Sequence, residues 1–135
     1  MVHVRVAWRP RRAPQLPIPL GLHVGHGATV AGAVAFGPLI TPDELAGLDS
    51  PPTLLDVRWD VGTGADRAAY LQAHLPGGVF VDLDRQLSDP PSERGRHPLP
   101  DAERFGAEMR ALGVDQGRPV VVYDAATSMA AARAW

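Results

Sequence analysis

From residue 39 onward the apolar and polar positions fall into short, well-punctuated blocks. In LITPDELAGL, residues 39–48, Thr41 stands as a helix N-cap, Pro42 at the first helical position and Glu44 three residues after the cap. That spacing lets each side chain take a free backbone N–H of the first turn. TLLDV, residues 53–57, is an apolar run without helical spacing, bounded by Pro51 and Pro52, and reads as a buried strand. In DRAAYLQAH, residues 66–74, Ala69, Tyr70 and Ala73 share one helical side, and Pro76, Gly77 and Gly78 stop the turn. VFVDL, residues 79–83, alternates as a second strand, and SDPPSERGRHPLP, residues 88–100, is a long polar loop. DAERFGAEMRALG, residues 101–113, spaces Phe105, Met109 and Leu112 along one face, with Asp101 as N-cap and Gly113 as the stop. PVVVYD, residues 119–124, is the third and most hydrophobic strand, and AAARAW opens a further helix.

Strands alternating with helical segments predict an α/β fold, a parallel sheet with helices on both faces. The pattern also reads as incomplete at the C-terminus, because the strand over 119–124 needs a full helix or more chain to cover it. Residues 1–37 behave differently. Pro10, Pro14, Pro17 and Pro19 interrupt any element, and neither helical nor strand periodicity is evident. This stretch is expected to be disordered, or an extension created by a start site set too far upstream; residues 38–135 then form a partial domain. Charge marks the same division: residues 1–36 hold four Arg and no acid, whereas the rest hold nine Arg against 15 acids.

Composition then narrows the function classes. A chain of 135 residues supports one modest domain. A net charge of −2 gives no electrostatic reason to expect nucleic acid or an anionic membrane as partner. The longest uncharged stretch, residues 13–42, carries five Pro, five Gly and two His, too interrupted for a membrane helix, so a cytoplasmic protein is expected. Every basic residue is Arg, as a GC-rich coding bias would produce. Cysteine is absent, which excludes disulfides, thiolate metal sites and a cysteine nucleophile in this chain.

LITPDELAGL, LLDVRW, YLQAHLPGGVFVDLD and GRHPLPDAERFGAEMRALGV, followed by PVVVYD, resemble in order and spacing the amino-terminal domain of the tandem rhodanese-type sulfurtransferases, the thiosulfate and 3-mercaptopyruvate group. HLPGG leading into VFVDLD, and a loop ending RHPLP, make the resemblance specific; it covers residues 38–135. It implies a rhodanese-like fold and sulfur transfer through a cysteine persulfide. In that family the thiolate sits in a strand-to-helix loop ringed by backbone N–H groups that lower its pKa. Only the carboxy-terminal one of two tandem domains carries that cysteine, so the resemblance implies a missing C-terminal rhodanese domain as partner and a small sulfur-donor anion as substrate. No cofactor or metal is implied.

The cysteine position falls at or next to Asp124, whose carboxylate is a poor nucleophile toward sulfur and would repel an anionic donor. No catalytic residue is expected in this chain, and the chain alone is expected to be inactive. His74 is a candidate cleft residue for proton transfer. Arg58, alternating with Asp56 at a strand end, and Arg96, in the cluster with Arg94 and His97, are candidate anion-binding residues. Asp82 and Asp84 lack a third ligand and read as strand-end acids. Two other readings stay open: a free-standing non-catalytic binding or regulatory module, and a gene remnant too small to fold stably.

Overall fold

The structure, a computed structural model, describes residues 3–8 and 39–135. Expectations for residues 1–2 and 9–38 lie outside the described residues. His3–Trp8 is a strand, β1, within the stretch where the sequence suggested no element. Its alternation runs for only six residues, and its pairing is supplied from far along the chain. The remaining elements are α1 (Pro42–Ala46), β2 (Thr53–Val57), the short pair β3 (Trp59–Asp60) and β4 (Gly64–Ala65), α2 (Arg67–Gln72), β5 (Gly78–Val81), α3 (Leu83–Gln86), α4 (Ala102–Ala111), β6 (Val120–Asp124) and α5 (Met129–Ala134).

The main sheet has the order β1-β6-β2-β5. β2 lies between β5 and β6 and is parallel to both, whereas β1 pairs antiparallel with β6, His3 opposite Asp124. This is the α/β arrangement that the alternating pattern predicts. Because β2, β5 and β6 are parallel, their C-terminal ends share one edge of the sheet, the edge where open α/β folds place their sites.

Every residue of β6 is buried. Val120 and Val122 face a core formed with Leu55, Val57 and Val81, closed by Met109 of α4 and by Ala130 and Ala131 of α5. The alternate positions, Val121 and Tyr123, pack on the other side with Ile40, Leu45 and Leu48 around α1, and with Leu54 and Leu75. A strand apolar on both faces is what a parallel sheet covered by helices requires. The start of α1 carries the expected reciprocal cap: Glu44 N–H donates to Thr41 Oγ1 at 3.2 Å and Thr41 N–H to Glu44 Oε2 at 2.7 Å. The backbone hydrogen bond from Thr41 holds the Glu44 carboxyl below its usual value. Among the described residues no helix is long and apolar enough to cross a membrane.

Candidate functional site

β6 delivers Asp124 to the C-terminal edge of the sheet, where the chain turns through residues 125–128 into α5. Its side chain is 2% exposed and fully engaged. Oδ1 accepts from Ala126 N–H and Ser128 N–H, both at 3.0 Å, and Oδ2 accepts from Ala131 N–H at 3.1 Å. Ser128 has a left-handed backbone, φ 68°, which costs a non-glycine residue about 1–2 kcal/mol. It occupies the N-cap position of α5 without a side-chain bond of its own. Asp124 does the capping instead, four residues earlier. The loop therefore gathers three amides around one anionic group, and the chain supplies that group itself.

Beside it, Asp56 is fully buried and forms a fork with Arg58: Nε to Oδ1 at 2.6 Å and an Nη to Oδ2 at 3.0 Å. The same Nη donates to the Ala73 carbonyl at 2.7 Å. The hydrogen bonds that the guanidinium donates to Asp56 raise its pKa, and it stays charged. Arg58 is thus spent on fixing the end of β2 against the turn after α2. Tyr123 supports that turn from below, its hydroxyl accepting from Leu75 N–H at 3.1 Å, and burial pushes its phenol pKa up. His74 is exposed; its ring stacks on Tyr70 at 4.1 Å, and Nδ1 lies 2.8 Å from the Tyr70 carbonyl.

The third feature is an open cleft of about 740 Å³ between the β3–β4 pair, α3 and the polar loop over residues 88–100. Arg96 and His97 both line it. Asp84 ties two walls together: its Oδ2 accepts from the Trp59 indole N–H at 3.0 Å, and its Oδ1 lies 3.0 Å from His97 Nε2. The His97 ring meets Trp59 edge-on at 5.2 Å. Arg104 holds the loop, donating to the Arg85 and Ser88 carbonyls and pairing with Asp89 at 2.7 Å. Arg133 of α5 donates to the carbonyls of Leu87, His97 and Pro98.

The candidate residues thus separate. Asp124 and Arg58 lie at strand ends with their polar atoms occupied, His74 sits exposed just after α2, and Arg96 lines the cleft with its neighbour His97. Asp82 caps α3, accepting from Arg85 N–H at 3.2 Å, and no group of three or more potential metal ligands exists among the described residues. Of the cleft residues, Trp59 and Ser88 were not identified from sequence, and Asp84, read there as a strand-end acid, lies instead in α3. The only signal was aromatic: Trp59 in LLDVRWD is a large side chain at the end of a strand, facing no predicted partner.

Comparison with known proteins adds independent findings. The rhodanese-like domain family matches residues 41–135. A Mycobacterium tuberculosis protein named "Putative thiosulfate sulfurtransferase SseB" is 48% identical over 101 residues, covering 72% of this chain and 36% of the relative. A Pseudomonas aeruginosa protein named "Probable 3-mercaptopyruvate sulfurtransferase" is 41% identical over 104 residues, with the same coverage of 72% and 36%. The 3-mercaptopyruvate sulfurtransferase of Escherichia coli is 46% identical over 66 residues, covering 49% of this chain and 23% of that protein. The chain spans about a third of the length of the first two relatives. No solved structure matches it.

Proposed function

The chain belongs to the rhodanese-like domain family, and on that premise we propose that it is the amino-terminal, cysteine-less domain of a sulfurtransferase, supporting a persulfide that it does not itself carry. The observation that carries this reading is the loop after β6. The family resemblance puts the sulfur-bearing cysteine of a catalytic domain at or next to Asp124, and here the amides of Ala126, Ser128 and Ala131 are taken up by the Asp124 carboxylate. Three amides of that loop are thereby committed to a carboxylate, and the chain holds no cysteine to become a thiolate or a persulfide.

In the proposed reaction a cysteine thiolate of a second, carboxy-terminal domain attacks the outer sulfur of thiosulfate. The S–S bond breaks and sulfite leaves with the electron pair. Cyanide or another thiophile then takes the sulfur from the persulfide and returns the thiolate, so no external oxidant or reductant is consumed. The present domain supplies a rigid wall: the Asp56–Arg58 fork and the Tyr123–Leu75 bond fix the sheet edge nearest the turn after α2. We place the protein in the cytoplasm, with the second rhodanese domain as partner and a small sulfur-donor anion as substrate.

The purified chain should form no thiocyanate from thiosulfate and cyanide above the protein-free rate. Mixed with the carboxy-terminal domain of a tandem relative, it should raise that domain's turnover. Thiocyanate formation by the chain alone would sink the reading.

A further inference from the structure

The strand on the outer side of β6 comes from the opposite end of the sequence and runs against the rest of its sheet. β2, β5 and β6 are parallel, whereas β1 is antiparallel to β6. Their ladder joins His3 and Val4 to Asp124 and Tyr123, then shifts register before it resumes at Ala7 and Trp8. A shift of this kind interrupts the pairing and leaves the strand less firmly held. β1 stands at the end of the described sheet, with α5 lying against it.

The connections among the parallel strands indicate what else that edge of β6 accepts. From β5 to β6 the chain crosses β2 by way of α4, whose Met109 packs with Val120 and Val122 on one face. From β2 to β5 it moves the opposite way through α2, and Leu75, just beyond that helix, packs on the other face with Val121 and Tyr123. Opposite directions on opposite faces have the same hand, as the near-universal right-handedness of parallel crossovers requires. α5 leaves β6 on the face of Met109, with Ala130 and Ala131 in the same core. A crossover of that hand, continued from α5, lays its strand on the side of β6 away from β2, where β1 now pairs. Both strands need the same edge of Val120–Asp124, so one excludes the other.

We propose that this edge of β6 is a docking place for a parallel strand carried by chain that continues from α5, and that β1 is its exchangeable occupant. A crossover strand returns to β6 through a short connection, at a smaller loop-closure cost than a strand from the opposite end of the sequence. The inference concerns the sheet edge and no sulfur chemistry, so its failure would leave the sulfur-transfer reading as it stands.

The test compares the 135-residue chain with the same chain extended past Trp135 by about 40 residues, enough to complete a βαβ unit. The added residues are those that follow the matched segment in the Mycobacterium tuberculosis relative, with any cysteine replaced by serine. One version of each protein carries Ala7→Cys and Val121→Cys, which stand opposite each other in the register. The chain has no cysteine of its own, so theirs is the only disulfide that can form within it. Mild oxidation should cross-link the parent variant and leave the extended one with two free thiols. In the versions without cysteine, the amides of residues 3–8 should exchange about tenfold faster or more in the extended chain, while the β2–β6 ladder keeps its protection. Cross-linking in both, in neither or only in the extended chain would overturn the proposal. So would unchanged exchange over residues 3–8, or loss of β2–β6 protection on extension, since the added strand would then not have been accepted.

Discussion

Replacing Asp124 by Ala tests whether its carboxylate holds the loop after β6 together. The substitution removes the acceptor of three backbone N–H groups from a side chain that is 2% exposed. Ala126 is exposed, so water can serve its amide; Ser128 and Ala131 are buried, and their amides are left without a partner. Each buried unsatisfied donor costs about 1–3 kcal/mol, so two give about 2–6 kcal/mol against a total domain stability of roughly 5–15 kcal/mol. In a domain of this size that lowers the melting temperature by about 10–30 °C. Asp124→Asn should fall in between, because its oxygen still accepts from Ala126 and Ser128 while its amide faces the Ala131 N–H. Urea denaturation followed by circular dichroism measures both variants. An Ala variant within about 0.5 kcal/mol of the parent would refute the reasoning and make the loop's conformation independent of its carboxylate.

Other consequences are equally direct. At Gly78 an added Cβ would fall onto the Tyr123 hydroxyl and 2.9 Å from the Leu75 carbonyl oxygen, so Gly78→Ala should cost about 1–3 kcal/mol. Urea midpoints of Gly78→Ala, Tyr123→Phe and the double variant should show positive coupling, the phenylalanine relieving part of the clash; strict additivity contradicts the geometry. Arg58→Gln leaves the buried Asp56 carboxylate without its ion partner and should cost about 3–5 kcal/mol, whereas pairing it with Asp56→Asn should recover much of that. An Arg58→Gln variant as stable as the parent would show that the fork contributes nothing. The raised phenol pKa of Tyr123 sets the sign of an alkaline effect: its neutral form is favoured on folding. That contribution is complete below the ordinary value of 10.0 and is lost as pH rises through the higher folded value. Tyrosinate absorbance from Tyr123, identified by difference from Tyr123→Phe, should appear only together with alkaline unfolding.

Local signals were sufficient where one segment contains its own instructions. The Thr41–Glu44 cap, the Asp101 cap of α4 and the buried run of β6 appear as read, because each depends on residues within one turn or one strand. VFVDL was read as a strand to residue 83, yet the strand ends at Val81 and Leu83–Gln86 makes a helical turn. Asp82 stops the strand by accepting Arg85 N–H, the competition between side chain and ladder that short polar residues bring. β1, β3 and β4 were not anticipated, since strands of six, two and two residues draw their definition from partners rather than pattern. Arg96 could be nominated from its neighbours in sequence. Its cleft could not, because Trp59 and Asp84 reach His97 only after the sheet has formed.

The guanidinium of Arg133 has a wider meaning for how this domain opens. It grips three carbonyls, those of Leu87, His97 and Pro98, from a helix whose N-cap amide, Ser128, and Ala131 amide rest on Asp124. Fraying α5 therefore releases the polar loop, and the loop in turn carries one wall of the cleft. Helix and loop constitute a single cooperative unit, and hydrogen exchange should give them one shared opening free energy, below that of the β2–β6 ladder.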